Sequence, residues 1–337
     1  MKNILITGGA GFIGSNFINH ILSKRDDYNV VNLDKLTYAG NLENLKYAET
    51  KKNYHFIKGD ITNSDLVNYV FEKYEIEFVI NFAAESHVDR SILGSETFYR
   101  TNVIGTNVLL EAALRYGVEK FIQISTDEVY GSLDKEGLFT EKTSLSPNSP
   151  YSSSKAAADM MALSFHHTYG IPIVITRCSN NYGLYQFPEK LIPLMIINAI
   201  NNKKLPVYGD GMNVRDWIYV IDHNKAVELV FEKGRIGEVY NIGASNEMPN
   251  IEIVKLILKH LKKSEDLIQF VTDRPGHDRR YAIDSSKIRN ELGWEPEFNF
   301  EAAIDDTIKW YMKNKGWWER IISGEYQNYY NLQYKNR

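Results

Sequence analysis

The sequence predicts an α/β protein: a doubly wound parallel sheet followed by a smaller, mixed α/β C-terminal domain. Two observations carry this. The first half alternates short apolar runs with helical periodicities, and the second half loses that regularity where prolines gather. Ile4-Leu5-Ile6 reads as a buried strand, and Phe17, Ile18, Ile21 and Leu22 then recur at helical spacing. Val30–Leu33, Tyr54–Ile57, Phe78–Phe82 and Phe121–Ser125 read as the next four strands. A helical stretch containing Val103, Val108, Leu109 and Leu110 separates the last two. Ile173-Val174-Ile175, after Pro172, reads as a sixth strand. Beyond it, Pro188, Pro193 and Pro206 punctuate the chain. A helix after Asp222, a strand at Glu238–Asn241 and a helix through Ile251, Val254, Leu256, Ile257 and Leu261 follow. The division falls at residues 1–177 and 178–337, with a return to the first domain at about 214–242. At 337 residues the chain is long for a single core.

Composition excludes several classes. Net charge is −4, so no basic excess points to nucleic acid or an anionic membrane. The apolar runs fall short of the roughly 18 residues that a membrane span needs. The one cysteine, Cys178, cannot form an intramolecular disulfide, and no CxxC or HExxH pattern suggests a metal. A cytoplasmic protein with no signal peptide is the expectation.

The first strand runs into Thr7-Gly8-Gly9-Ala10-Gly11-Phe12-Ile13-Gly14. Glycines here permit a tight turn, close backbone approach to a pyrophosphate, and close packing of the next helix. That helix then points its N-terminal N–H groups at the phosphates. A lone glycine pattern is weak, but this one follows a strand and opens a helix. Asp34 ends the next strand 20 residues after Gly14. An acid there binds a ribose 2′-hydroxyl and repels a 2′-phosphate, which favours NAD over NADP; Lys35 beside it works the other way. The sequence thus predicts a Rossmann-type domain with NAD as cofactor. Asp60-Ile61 and Phe82-Ala83-Ala84-Glu85 follow the third and fourth strands, where cofactor contacts fall.

Tyr151-Ser152-Ser153-Ser154-Lys155 is a YxxxK motif 25 residues after Thr126. Tyr and Lys four apart on a helix share a face. A lysine ammonium favours the tyrosinate, which makes Tyr151 a candidate general base for a hydroxyl. A bare YxxxK more often marks a surface helix; the dinucleotide pattern upstream changes its meaning.

The glycine motif, the strand-end Ser125-Thr126 and YxxxK together resemble the extended short-chain dehydrogenase/reductase superfamily. Within it, Ser125-Thr126-Asp127-Glu128-Val129-Tyr130-Gly131 resembles the dTDP-glucose 4,6-dehydratases. So do the blocks at 34–41, 83–91 and 273–281. The resemblance implies oxidation at C4 by Tyr151, Lys155 and Thr126. It assigns the C5 proton to Glu128 and protonation of the departing C6 hydroxyl to Asp127. Two adjacent carboxylates can divide such work if their surroundings separate their pKa values. The NAD contacts implied are Gly8, Gly11, Phe12, Ile13, Gly14, Asp34, Lys35, Leu36, Thr37 and Gly40. They continue through Asp60, Ile61, Phe82, Ala83, Ala84, Glu85, Ser86 and Thr101 to Ser125, Tyr151, Lys155 and Asn181. Arg215 and Arg274 suit a nucleotide diphosphate, because guanidinium groups grip phosphates bidentately. The resemblance places Thr126, Asn180, His87, Glu189, Lys190, Leu191, Pro206, Val207, Tyr208, Asn250, Asp273 and His277 around dTDP-glucose. It also implies a homodimer packed through Asn102–Tyr116 and Tyr151–Tyr169, with the small Ala156, Ala157 and Ala158 allowing close approach.

Overall fold

The computed structural model describes residues 1–323; positions 324–337 of the expected second domain lie outside the described residues. The chain opens with β1 (Lys2–Thr7), α1 (Phe12–Lys24), β2 (Tyr28–Asp34), β3 (Tyr54–Lys58), α2 (Ser64–Lys73) and β4 (Phe78–Asn81). Two short helices, α3 (Val88–Leu93) and α4 (Glu96–Tyr99), run through a π-helical turn at Arg100–Gly105 into α5 (Thr106–Tyr116). Then come β5 (Lys120–Thr126), a 3-10 turn (Asp127–Tyr130), α6 (Pro150–Tyr169) and β6 (Ile173–Cys178). The second half holds β7 (Asn180–Tyr182), α7 (Leu191–Ile200), β8 (Leu205–Tyr208), β9 (Val214–Tyr219), α8 (Val220–Lys233), β10 (Val239–Ile242) and β11 (Glu247–Pro249). It closes with α9 (Asn250–His260), β12 (Ile268–Val271), α10 (Ser286–Leu292), α11 (Phe300–Lys313) and α12 (Lys315–Ile322).

The main sheet has the order β10-β6-β5-β4-β1-β2-β3, parallel throughout. Its strands are apolar on both faces because helices cover both. Ile4, Ile6, Val30, Ile80 and Ile122 pack against α1 and α8 through Phe17, Ile21, Val227 and Val230. Leu5, Val31, Val79 and Phe121, one residue out of phase, pack against α2 and α5 through Val67, Val70, Leu109 and Leu110. The strand order reverses at β1/β4, so the loops leaving those strands part there and open a crevice at the carboxyl edge. A buried polar chain sets this edge. Thr7 donates to Asn81 (2.6 Å), and Asn81 donates to Gln123 (2.9 Å).

A three-stranded sheet, β11-β9-β7, and a two-stranded pair, β12-β8, form the smaller layer. They share a core with α7, α9, α11 and α12 that includes Met195, Ile257, Ile304 and Trp318. Among the described residues no helix is long and apolar enough to cross a membrane, and no cluster of His, Cys, Asp and Glu could hold a metal ion.

The helix carrying Tyr151 begins one residue before it, at Pro150. Ser149 caps it, with Ser152 completing the reciprocal bonds of a capping box. Ala156 and Ala158 turn inward, 4% and 0% exposed; Ala156 packs on Val129, Tyr130 and Tyr281 of its own chain. Their small size serves the fit of α6 to the sheet, so close approach of a partner does not rest on them.

Candidate active site

One cleft runs along the carboxyl edge of the main sheet. Its walls include Gly8, Gly11, Phe12, Ile13 and Gly14 from the first turn, and Asp34, Lys35, Thr37 and Gly40 after β2. Asp60 and Ile61 enter after β3, Phe82 to Ser86 after β4, and Thr101 from the π-helical turn. Ser125 to Glu128, Tyr151, Lys155, Asn180, Asn181, Glu189 and Lys190 complete it. Leu36 stands just behind the wall, and its N–H donates to Asp34 (2.7 Å).

The glycine turn is where backbone must approach backbone. Gly8 has φ +68°, and a Cβ there would lie 2.6 Å from the Ala83 nitrogen. A Cβ on Gly14 would lie 2.5 Å from the Gly8 carbonyl oxygen. Asp34 holds the turn, accepting from Ala10 N–H (2.8 Å) as well as Leu36 N–H. Burial raises its pKa, and those two N–H groups oppose the rise. Lys35 is committed to Asp60 at 2.7 Å, which draws its charge away from the Asp34 carboxylate.

The second constellation sits where β5 and α6 meet. Tyr151 and Lys155 lie one turn apart on α6, both buried. The Lys155 ammonium donates to the Ile124 carbonyl (2.6 Å), which fixes it under the strand end. Thr126 caps the 3-10 turn: its hydroxyl accepts from Glu128 N–H (3.3 Å) and donates to Asp127 Oδ1 (3.2 Å). A 3-10 helix has three residues per turn, so successive side chains diverge by about 120°. Asp127 and Glu128 therefore meet different surroundings. Burial raises Asp127 well above the carboxylate range, and the charges of Glu128 and Asp216 push the same way. Burial also raises Glu128, but Arg274, Arg215 and Lys190 pull against it. Both carboxyl groups are thus raised, Asp127 with its neighbouring carboxylates adding to the rise and Glu128 with three cations opposing it. Tyr151 is raised by burial, then by Glu128 and Cys178, while the Thr126 hydroxyl opposes the rise. Burial lowers Lys155. The Cys178 thiol is pushed up to about 12, chiefly by burial, so it remains a thiol.

The residues expected around a sugar nucleotide separate into two groups. Thr126, Asn180, Glu189 and Lys190 line the cleft. The Asn180 and Asn181 side-chain oxygens are buried without a hydrogen-bond partner among the described residues. His87 is buried at the start of α3, and burial brings it down to about 4. The others lie beyond the cleft wall, mostly around Asp89 and Asp278. Asp89 accepts from Tyr208 (2.9 Å) and Arg274 (3.1 Å). His277 pairs with Asp273 (2.6 Å) and is also brought down to about 4, first by burial. Arg215 donates to the Asp278 carbonyl (2.9 Å), with its guanidinium over the Tyr281 ring at 4.3 Å. Leu191 opens α7 and Asn250 opens α9. Pro206 and Val207 sit within β8, where Val207 is 2% exposed in the second core.

Sequence reasoning did not single out Tyr38, Arg90 or Asp278. Tyr38 and Arg90 lie inside the blocks at 34–41 and 83–91, but nothing local shows where their side chains go. Tyr38 and Arg90 both reach Glu189, at 2.8 Å each. Asp278 accepts from Asn148 (2.6 Å) and from Tyr281, tying the 273–281 segment to the loop before α6.

A glycine turn at the switch point of a doubly wound sheet, with a buried Tyr-x-x-x-Lys pair beside it, defines a short-chain dehydrogenase/reductase. The family described as GDP-mannose 4,6 dehydratase matches residues 5–307. A dTDP-glucose 4,6-dehydratase of Xanthomonas campestris is 51% identical, over 97% of this chain and 98% of that protein. Two solved structures are similar over almost the whole chain. The dTDP-glucose 4,6-dehydratase of Bacillus anthracis, in complex with NAD, has a TM-score of 0.90 and 53% identity, covering 95% of this chain and 100% of that one. The enzyme of the same name from Streptomyces venezuelae, with NAD bound, has a TM-score of 0.92 and 45% identity, covering 95% and 99%. The chain belongs to the dTDP-glucose 4,6-dehydratase family.

Proposed function

We propose that this protein binds NAD and converts dTDP-glucose to dTDP-4-keto-6-deoxyglucose and water, a hydro-lyase reaction that supplies deoxysugar synthesis. The observation that carries this is the Asp127–Glu128 pair, two carboxyl groups of unlike surroundings beside Tyr151 and Thr126. An enzyme that only inverted C4 would need Tyr151 and Thr126 alone. Loss of water across C5 and C6 needs both an acid and a base.

The cradle fits the dinucleotide: Gly8 and Gly14 leave no room for a Cβ, and Asp34 offers a carboxylate at the end of β2. NAD held in this cradle would supply the hydride acceptor for C4 and the hydride donor for C6. Tyr151 takes the proton of the 4-hydroxyl, assisted by Thr126 and by the Lys155 ammonium. The resulting ketone acidifies C5–H. Glu128, the more readily ionised carboxyl group, removes that proton. Asp127, raised well above its ordinary value, gives its proton to the C6 hydroxyl as it leaves. Glu128 then returns a proton to C5. The NAD and dTDP-glucose contacts expected from the sequence belong to this reading, as does the division at residue 177.

The reading extends to a homodimer. Ile92, Leu93, Tyr99, Ile104, Leu114, Met160 and Tyr169 are large apolar side chains at least 39% exposed, all on α3 to α6 or the π-helical turn. Such clustering favours a protein partner. Sedimentation as a monomer at micromolar concentration refutes that part. A cytoplasmic location belongs to the same reading.

The test is dTDP-glucose carrying deuterium at C4. A product whose C6 methyl carries that deuterium supports the reading. A 4-epimer, or no C6-deoxy product, overturns it.

A further inference from the structure

Three loops reach across the cleft from different parts of the chain, and their polar side chains converge at one point. The loop after β2 contributes Tyr38, the segment after β4 contributes Arg90, and the loop between β7 and α7 contributes Glu189. The Glu189 side chain is 1% exposed. One of its oxygens accepts from the Tyr38 hydroxyl (2.8 Å), the other from Arg90 Nε (2.8 Å). The Arg90 guanidinium also lies over the Tyr38 ring, 3.8 Å from its centroid. The opposite loop adds Phe187, edge-on to Tyr38 at 5.2 Å, and Lys190, which donates to the Ser86 carbonyl (2.8 Å).

Tyr38 and Glu189 are themselves part of the cleft wall, alongside Gly11, Asp34 and Gly40. The carboxylate of Glu189 is spent on the two neighbouring loops, so its geometry is that of a fastener. The chemistry of the three groups is matched. Burial and the Glu189 charge hold the Tyr38 hydroxyl far above its ordinary range, so it remains a donor. Both bonds to the carboxylate join groups that are largely out of water, where charge-assisted hydrogen bonds are strongest.

We infer that Tyr38, Arg90 and Glu189 form a latch that holds the cleft closed over its dinucleotide and sets how slowly that cofactor leaves. They are positioning residues: they act by tying the loops at 35–40 and 183–190 to the first turn of α3. The inference rests on the NAD-binding reading above. It adds that retention is governed by contacts between loops as well as by the glycine turn. An enzyme that lends a hydride and takes it back within one turnover gains from slow cofactor exchange, and these loops supply a means.

The test uses full-length enzyme loaded with isotopically labelled NAD and chased with excess unlabelled NAD. Tyr38→Phe keeps the ring, and with it the Phe187 and Arg90 contacts, and removes only the hydroxyl. Glu189→Gln keeps the shape and removes the charge. Tyr38→Phe is expected to speed NAD release by about ten- to a hundredfold, the loss of one charge-assisted hydrogen bond, and Glu189→Gln, which takes the charge from two, by at least as much. The double variant is expected to release NAD no faster than the faster single one, because both changes open one device. Release at the wild-type rate overturns the latch, and so do additive effects in the double variant. Arg90→Lys, which keeps charge but loses the stacked fork, is expected to fall between wild type and Arg90→Ala; equal rates for the two overturn the role given to Arg90. Wild-type enzyme that holds no NAD overturns the cofactor reading itself, an outcome distinct from the others.

Discussion

Replacing Glu128 with Gln is the most informative single perturbation of the acid–base pair. The Gln side chain is nearly isosteric, and the Thr126 hydroxyl accepts from the backbone N–H of residue 128, so the 3-10 turn keeps its cap. What disappears is a negative charge. That charge raises both Asp127 and Tyr151, so in the variant both groups ionise more readily. Burial and Asp216 continue to raise Asp127. Two consequences oppose each other in the overall rate but separate by step. Proton removal from C5 loses its base, and a positioned base contributes about 10²–10⁴-fold, or about 3–5 kcal/mol of barrier. Oxidation at C4 keeps Tyr151, and its pH profile moves toward lower pH because the tyrosinate forms earlier. The assay is a single turnover with dTDP-glucose, followed by the near-ultraviolet absorbance of reduced nicotinamide. The expected trace rises and stays high, with 4-keto-6-deoxy product delayed by at least two orders of magnitude. A variant that makes product at the wild-type rate, with no lasting absorbance, refutes the assignment of Glu128 as base.

Three further outcomes follow from the geometry. Gly8→Ala should lose tight NAD binding, since it joins a left-handed backbone that disfavours a Cβ by about 1–2 kcal/mol to an overlap at 2.6 Å with Ala83; NAD content after desalting checks this. Asp159→Asn should destabilise the fold by about 3–5 kcal/mol, because it strips the buried Arg177 guanidinium (Nε–Oδ2 2.9 Å) of its counter-charge. In urea unfolding, Asp159→Leu with Arg177→Met should recover most of that loss, and a single variant losing under about 1 kcal/mol would show the pair to be unimportant. His87 and His223 are buried and held down to about 4 and about 3, below the value of about 6.5 expected when unfolded. The unfolded chain therefore takes up protons first. Their contribution is full above about pH 6.5 and falls as pH drops toward those folded values. His223→Asn should flatten the stability–pH slope in that window.

The legible part of the fold was the part written in local pattern. Strands buried on both faces read as apolar runs, so Ile4–Ile6 and Ile173–Ile175 stand out in the sequence. The strands of the smaller layer did not. β7 and β11 are three residues long, and their pairing partners on β9 lie far away in sequence, as in Glu247 opposite Asp216. The π-helical turn at Arg100–Gly105 has no apolar period to separate it from the helix that follows. The site divides the same way. The glycine turn and the Tyr151–Lys155 spacing are compact motifs. The meeting of Tyr38 and Glu189 spans 151 positions and that of Arg90 and Glu189 spans 99, and no spacing rule reaches so far. The inward turn of Ala156 and Ala158 was hidden because small residues suit a close approach to any surface, and the sequence does not say whose.

The short turn at Asp127–Tyr130 divides its labour along its length. Its first two residues, Asp127 and Glu128, are the carboxyl groups to which the proposed function gives the acid and base roles. Its last two anchor it: Val129 is fully buried, and Tyr130 donates to Asn241 (2.8 Å) while accepting from Arg177 (2.9 Å). The anchors belong to β6 and β10, and both are independent of what stands at 127 and 128. Under the proposed function, reactivity is thereby a replaceable insert in a fixed socket. For an engineer, exchanging two side chains there offers a way to redirect the fate of an oxidised sugar, halting at the ketone or restoring the alcohol, with the scaffold left as it stands.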